Sequence, residues 1–480
     1  MKGEGQVDPL LDILREAGQA VIGLFSLPYF YIAIALVIWH AKQGAALQRK
    51  LFHVRLYGTL YLTITRIAAG IGVGFLLSLA GMGFGAGVGL TKETLLFIWV
   101  AMAALALFRL RYVCLAYAAG ALGLLQALSD WTGIKGSSGA FEETLKTLSA
   151  IDVPSLLFLA GLLHVAEGIL VRLQGAKLAI PLFLQGKRGK PMGAYSLTGV
   201  WPIPLLWLIP ASGEGFTLPW TPLFGGDVSL WSLLAFPVLI GFSDRTTAFW
   251  PQEKAKSSGN SLILYGIIVA ALAAGAEYVD WLGVVAAVAA FALHEGVLLF
   301  SRSREAGRDP IYSQDGTGVK VLAVLPNTPA VEMGFEAGEV IRKANGAVVR
   351  NKEQLHAALQ RQSAFCKLEV ANRNGELRFV QRARYEGEHY QLGLILAPDE
   401  DVEFVAAPRS ASIWQGLRAA GARRLNNSPT MLAKREAKRA EAEQAAAEQA
   451  AMLAAEAAAE PDENAGLPPR GSSAIPRKKG

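Results

Sequence analysis

Near the end of the last long apolar run stands FALHEGVLLF, residues 291–300, with His294 and Glu295 side by side. A zinc protease sets two histidines one helical turn apart, with a glutamate beside the first as general base. Here the second position is Leu298, whose hydrocarbon side chain cannot hold a metal, and no other apolar run carries an Asp-Gly ligand segment. The nearest companions are His164 and Glu167, in LLHVAEGILV. Ionisable groups inside apolar spans are functional candidates by default, so the two His/Glu pairs could make a metal or proton site. The plainer reading is a polar clamp, in which His and Glu satisfy one another or a neighbouring basic loop. The sequence leaves both open, but it does not support a protease of the zinc type. Gly-x-Ser-x-Gly and the phosphate-loop pattern are absent too. The chain therefore reads as a non-enzyme with no cofactor.

The elements that must position these residues are membrane spans. The chain has 480 residues, 52% of them hydrophobic, and a mean hydropathy of +0.32. The apolar residues crowd into residues 21–300, in runs long enough to cross a bilayer. Nine spans are predicted: 21–39, 67–89, 94–108, 112–130, 154–171, 199–212, 228–243, 260–276 and 281–300. Residues 1–20 form an N-terminal segment before them. The sixth is the least regular: VWPIPLLWLIPASG carries Pro202, Pro204 and Pro210, which remove backbone donors and suit a re-entrant or tilted segment as well as a span. In the second, Gly70, Gly74, Gly81 and Gly85 suit close helix packing, within the chain or at a dimer face.

Charge orients the spans. Loop 40–66 carries Lys42, Arg49, Lys50, Arg55 and Arg66 without an acid, and loop 172–198 carries Arg172, Lys177, Lys187, Arg188 and Lys190. Arg109 and Arg111 lie in a short link between the third and fourth spans. The intervening loops hold Glu93 with Lys92; Asp130, Glu142, Glu143 and Asp152 with Lys135 and Lys146; Glu214 and Asp227; and Glu277 and Asp280. Basic loops face the cytoplasm, which sets the N-terminus outside and everything after Phe300 inside. The net charge of +6 is thus a matter of orientation, and no nucleic-acid partner is expected. Cys114 and Cys366, in different regions, read as buried small apolar residues.

From about Asp309 the pattern becomes strand-like. GVKVLAVLP reads as a strand, and EVIRKANG as a strand ending in an Asn-Gly turn. Asn351 caps the helix KEQLHAALQ, and FCKLEVANRNGELRFVQRA reads as a hairpin about Asn374-Gly375. NTPAVEMGFEAGEVIRKANG resembles the core pattern of bacterial PDZ domains: Thr328-Pro329-Ala330, Met333-Gly334-Phe335, Gly338-Glu339-Val340-Ile341 and Asn345-Gly346 stand at the family's positions. Glu339 replaces the usual Asp. The resemblance implies a PDZ domain over 309–400. QLGLILAP, with Leu392, Gly393, Leu394 and Ile395, resembles the carboxylate-binding loop moved to the C-terminal edge. A peptide or protein C-terminus would add there as a strand, with Leu355 and Leu359 on the opposite wall. The alternative is an edge strand that only completes the sheet.

Residues 401–480 form an Ala/Glu/Lys-rich tail, read as helical over 433–460 and disordered by composition at its end, either solvated or partner-binding. The expected fold is thus an α-helical polytopic membrane domain, a small α+β PDZ domain and a disordered or helical tail. This arrangement, together with LFSLPYFYIAIAL, QRKLFHVRLYG, PLFLQGKRGKPMGAYSLTGVWPIPL and the late YQLGLILAP, resembles the MinJ family of cell-division topological determinants. The resemblance implies an adaptor in the cell membrane, at septum and poles, joining a DivIVA-like scaffold to the MinCD inhibitor through a MinD-like partner. The alternative is a membrane enzyme or protease regulator whose PDZ domain presents peptides.

Overall fold

The computed structural model describes residues 9–133, 139–186, 189–211, 213, 215–225, 228–362, 365–383 and 392–399. Residues 1–8, Lys135, Lys187, Arg188, Glu214, Asp227, Gln391 and the tail 401–480 lie outside the described residues. Helices α1 (Pro9–Leu24), α2 (Pro28–Phe52), α3 (Thr59–Phe84), α4 (Lys92–Phe108), α5 (Leu115–Thr132), α6 (Ala140–Ser149) and α7 (Val153–Leu170) come first. Strands β1 (Ile180–Gln185), β2 (Pro191–Pro210) and β3 (Trp231–Thr246) follow, and then α8 (Pro251–Ala276) and α9 (Trp281–Ala306). The sheet-containing C-terminal region holds β4 (Val319–Val324), α10 (Pro329–Glu332), β5 (Val340–Ala344), β6 (Ala347–Val348), α11 (Lys352–Gln360), β7 (Phe365–Ala371), β8 (Leu377–Ala383) and β9 (Leu394–Leu396).

Among the described residues, five helices are long and apolar enough to cross a membrane, against nine predicted spans: α2, α3, α7 with its extension to Gly175, α8 and α9. The first predicted span is broken before Pro28, where α2 begins. The third and fourth are the shorter helices α4 and α5, the latter continuous but made less apolar by Gln126, Ser129 and Asp130. The sixth and seventh are not helices. Residues 199–212 and 228–243 lie largely in β2 and β3, which pair antiparallel from Tyr195↔Thr246 to Pro210↔Trp231. Hydropathy counts apolar residues and ignores their period. Pro202 and Pro204, two positions apart in β2, cannot continue a helix, but a strand tolerates proline at a position whose backbone faces away from the paired strand. Pro204 stands opposite Pro237, a pair that exchanges no N–H.

The outer edge of β2 lies on α3. Leu206 N–H donates to Ser78 Oγ (2.9 Å), Leu208 C=O accepts from Val88 N–H (3.1 Å), and Thr198 C=O accepts from Arg66 Nη2 (2.9 Å). Pro202 and Pro204 have no N–H to satisfy. Gly70 and Gly74 let the helix reach their carbonyls: an added Cβ would fall 2.1 Å and 2.5 Å from the two oxygens. Four helical residues advance about 6.0 Å and two strand residues about 6.6 Å, so 70, 74 and 78 keep step with 202, 204 and 206. The small residues of the second predicted span thus pack within the chain, on a strand. Arg66, expected in a basic loop, is instead a buried residue of α3, with Nη1 2.6 Å from His40 Nδ1.

The most buried helix, α7, crosses α8 through two glycine pairs. Gly161 meets Gly266 and Gly168 meets Gly259, each so close that a Cβ would fall within 2.7 Å of the facing carbonyl. At the other end of the hairpin, Lys254 of α8 is buried between Asp244 and Glu305, 3.3 Å from each. Glu305 Oε1 also accepts from the backbone N–H of Thr247 and Ala248. This network ties the end of β3 to α8 and α9.

The C-terminal sheet runs β8-β7-β5-β4-β9, with β6 paired to β5. Asn345 and Gly346 both have positive φ in the tight turn between β5 and β6. Asn351 Oδ1 accepts from Gln354 N–H and caps α11. Glu339, the departure from the usual Asp, is buried and accepts from Arg378 Nε and Nη2 at 3.0 and 2.7 Å, joining β5 to β8. The sheet rests on the hairpin. Tyr195 O–H donates to Leu322 C=O, Gly193 N–H donates to Tyr312 C=O (3.0 Å), and the Arg373 guanidinium lies 4.3 Å from the Trp250 ring centre.

The helix–strand contact predicts a sharp contrast within α3. Gly74→Val should destabilise the detergent-solubilised protein by about 1–3 kcal/mol in thermal unfolding, as overpacking does. Gly72→Val, where a Cβ meets nothing within 4 Å, should unfold close to the parent.

Candidate functional site

The residues first singled out for chemistry converge. Glu295 on α9 accepts from Arg111 Nη2 at 2.5 and 2.7 Å, Arg111 standing in the turn Leu110–Tyr112. Tyr117 O–H on α5 donates to Glu295 Oε1 at 2.8 Å, and its oxygen is 2.7 Å from His294 Nδ1. A phenol has one proton to give, so His294 Nδ1–H donates to Tyr117. His164 on α7 packs its ring against those of His294 and Tyr265, at 5.3 and 4.9 Å between centres. Its Nδ1 faces Ala160 C=O at 2.7 Å and so carries the proton, leaving Nε2, 3.4 Å from Cys114 Sγ, to accept from the thiol. Glu167 Oε2 stands 3.9 Å from His164 Nε2.

The two histidines thus meet ring to ring, but the acids lie apart: Glu295 turns to Arg111 and Tyr117, and Glu167 to His164. Among the described residues no three His, Cys, Asp or Glu side chains stand close enough to hold a metal ion. What the arrangement can do chemically is clamp: a chain of hydrogen bonds and ring contacts ties α5, α7, α8 and α9. Arg111 and Tyr117 were absent from the sequence-based candidates; a basic link and a tyrosine at the start of an apolar run were the available signal.

The second candidate place is the sheet edge. β9 pairs β4 antiparallel, with Val321↔Leu396, Ala323↔Ile395 and Val324↔Leu394, and no described strand pairs its other side. Gly393 C=O accepts from Leu325 N–H, and Ala397 N–H donates to Lys320 C=O. The odd-numbered backbone groups therefore face β4, which turns those of Leu394 and Leu396 outward. Leu392 is buried, and its C=O accepts from Ala330 N–H. Gly393 has φ +87°, and a Cβ there would fall 2.3 Å from Thr328, so the turn requires glycine. Ile395 is buried on the face toward the hairpin, whereas Leu394 and Leu396 turn to the sheet's own core. That core also takes Leu355 and Leu359, each 3% exposed. On α11 Lys352 is exposed and His356 half-buried, and Lys352 N–H donates to Asp399 just after β9 (3.1 Å). The His356 imidazole is held below its ordinary range, first by burial and then by Lys352.

No family model and no solved structure matches the chain. It is similar to the cell division topological determinant MinJ of Bacillus subtilis (strain 168), with 30% identity over 396 residues, covering 81% of this chain and 96% of the relative. It is also similar to probable MinJ determinants of Lacticaseibacillus paracasei and Lacticaseibacillus casei (strain BD-II), each 26% identical over 278 residues, 56% of this chain and 72% of theirs.

The clamp is testable by stranding its acid. Arg111→Met leaves Glu295 without its cation and should cost about 1–3 kcal/mol in thermal unfolding, between the loss of an exposed pair and that of a fully buried one. Replacing both partners, Arg111→Met with Glu295→Leu, should recover part of that loss.

Proposed function

The chain belongs to the MinJ family of cell division topological determinants, and from that premise we propose that it is a non-enzymatic membrane adaptor of division-site selection. In this reading it joins a DivIVA-like polar or septal scaffold to the MinCD inhibitor, with a MinD-like protein as a direct partner, at the septum and poles of the cell membrane. Its C-terminal α+β region acts as a PDZ domain on the cytoplasmic side. The observation that carries the proposal is the outer edge of β9, which no described strand pairs, alongside α11. A free strand edge beside a helix offers backbone donors and acceptors to an extended peptide, and the helix supplies the second wall. Gly393, at the head of β9, is where a terminal carboxylate would be received.

Two further features support the reading. The chemistry-bearing residues of the helical bundle are occupied with one another, which suits a scaffold rather than an enzyme. The hairpin tip packs on the far end of α3 through Leu223 and Phe224, while the C-terminal sheet sits at the hairpin's base. N-terminal helix α1 meets the tip end, where Ser232 donates to Glu16 (3.1 Å), so the two termini of the described chain lie at opposite ends of the bundle. Replacing two predicted spans by one hairpin leaves the alternation of basic and acidic loops intact.

Topology gives the first test. Reporter fusions after Lys190 and after Arg308 should both be cytoplasmic and one near Glu142 external; an external reporter at Arg308 sinks the adaptor reading. Binding gives the second. Peptides copying the C-termini of co-purifying division proteins should bind the full chain as free acids and at least about tenfold more weakly as amides, a difference of about 1.4 kcal/mol. His356→Glu, on the half-buried surface of α11, should weaken the free acid by repulsion. Gly393 is unsuited to this test, because a side chain there collides with Thr328.

A further inference from the structure

We infer that the ends of α8 and α9 form a binding site for the phosphate headgroup of an anionic glycerophospholipid. A cavity of about 490 Å³ opens there, lined by Lys256, Arg304 and Arg308 together with Phe249, Ser257 and Asn260. Glu253 is its one acidic lining residue. Among the described residues no carboxylate lies within ion-pair distance of Lys256, Arg304 or Arg308. These charges are available to a ligand.

The two guanidiniums are also held in place. Arg304 lies 5.2 Å and Arg308 4.4 Å from the centre of the same Phe249 ring, and Arg304 Nη1 donates to Ser257 Oγ at 2.8 Å. Stacking on a ring face leaves the edge N–H groups of a guanidinium free, in the fork geometry that suits two phosphate oxygens. Arg172 reaches the rim, where its Nη1 donates to Asn260 Oδ1 at 2.8 Å. The positive charge of the site therefore exceeds its one acid, and the ligand is an anion.

What makes that anion a lipid is the surface above it. Leu264 lies one helical turn beyond Asn260 on the same face of α8, and it is 60% exposed; Phe300, one turn before Arg304 on α9, is 52% exposed. A soluble phosphate would meet only the basic floor. A phospholipid satisfies both parts, with its phosphate on the arginines and its acyl chains along Leu264 and Phe300. Basic pockets between spanning helices at a membrane boundary bind headgroups in this way.

Native mass spectrometry of the full chain, released from micelles doped with phosphatidylglycerol or phosphatidylcholine, tests the site. Phosphatidylglycerol should stay bound and phosphatidylcholine should not. Lys256→Gln with Arg308→Gln should lower retention at least about tenfold, as two lost surface charges imply. Arg304→Gln should do the same, and Arg302→Gln, on the same helix but outside the cavity, should retain lipid like the parent. Lys256 and Arg308 take part in no structural hydrogen bond among those described, so their variants keep the test open if Arg304→Gln fails to fold. Equal retention of both lipids, or equal loss in Arg302→Gln, overturns the proposal. Displacement of the lipid by equimolar inorganic phosphate overturns its lipid source and reassigns the cavity to soluble phosphates.

Discussion

In hydrocarbon, a backbone N–H without an acceptor has no water to turn to, so a β-hairpin among membrane helices depends on what closes its edges beyond the short stretch that β1 pairs. Here the edge of β2 is closed three ways at once. Proline deletes the donors at 202 and 204, Ser78 accepts the one at Leu206, and Arg66 and Val88 donate to the carbonyls of Thr198 and Leu208. The glycines of α3 allow this by bringing helix and strand within carbonyl reach. The same contact line continues to Gly81, which packs against the buried Trp207.

The bundle around the hairpin follows the same economy of space. Paired glycines bring α7 and α8 together, and the polar groups that would otherwise be stranded between α5, α7 and α9 satisfy one another. Where three charged groups are drawn together, the buried Lys254 with Asp244 and Glu305, they sit at the junction of strand and helices and fix its geometry. A buried ion pair contributes little net stability, yet removing one partner is costly, so such a junction resists rearrangement.

Much of this was legible. The Asn351 cap and the Asn345-Gly346 turn follow from local chemistry that needs no tertiary context, and the structure has both. The meeting of His164 and His294 is one of the two arrangements that a His/Glu pair in each of two apolar runs leaves open. The hairpin is hidden from hydropathy, which registers that residues 199–212 are apolar and not that Pro202, Pro204 and Pro210 all stand at even positions, on one side of a strand. Arg66 was misassigned to a loop for a related reason: a charge is expected in water, and only the position of His40 and of the Thr198 carbonyl reveals why it is tolerated inside. In the C-terminal region, Leu355 and Leu359 were expected to line an open wall. Their one-face spacing equally describes a helix turned into its own sheet, and there they lie.

The dependence of β2 on α3 also bears on how the chain is assembled as it is synthesised. An apolar helix satisfies its own backbone and can pass singly into lipid, but neither β2 nor β3 can. The hairpin must therefore be received by a surface that already exists. The order along the chain provides one: α3, with its glycine ridge, and α7 precede residues 191–246, while α8 and α9 come after. The strands emerge with their template already made, and the last two helices close over them.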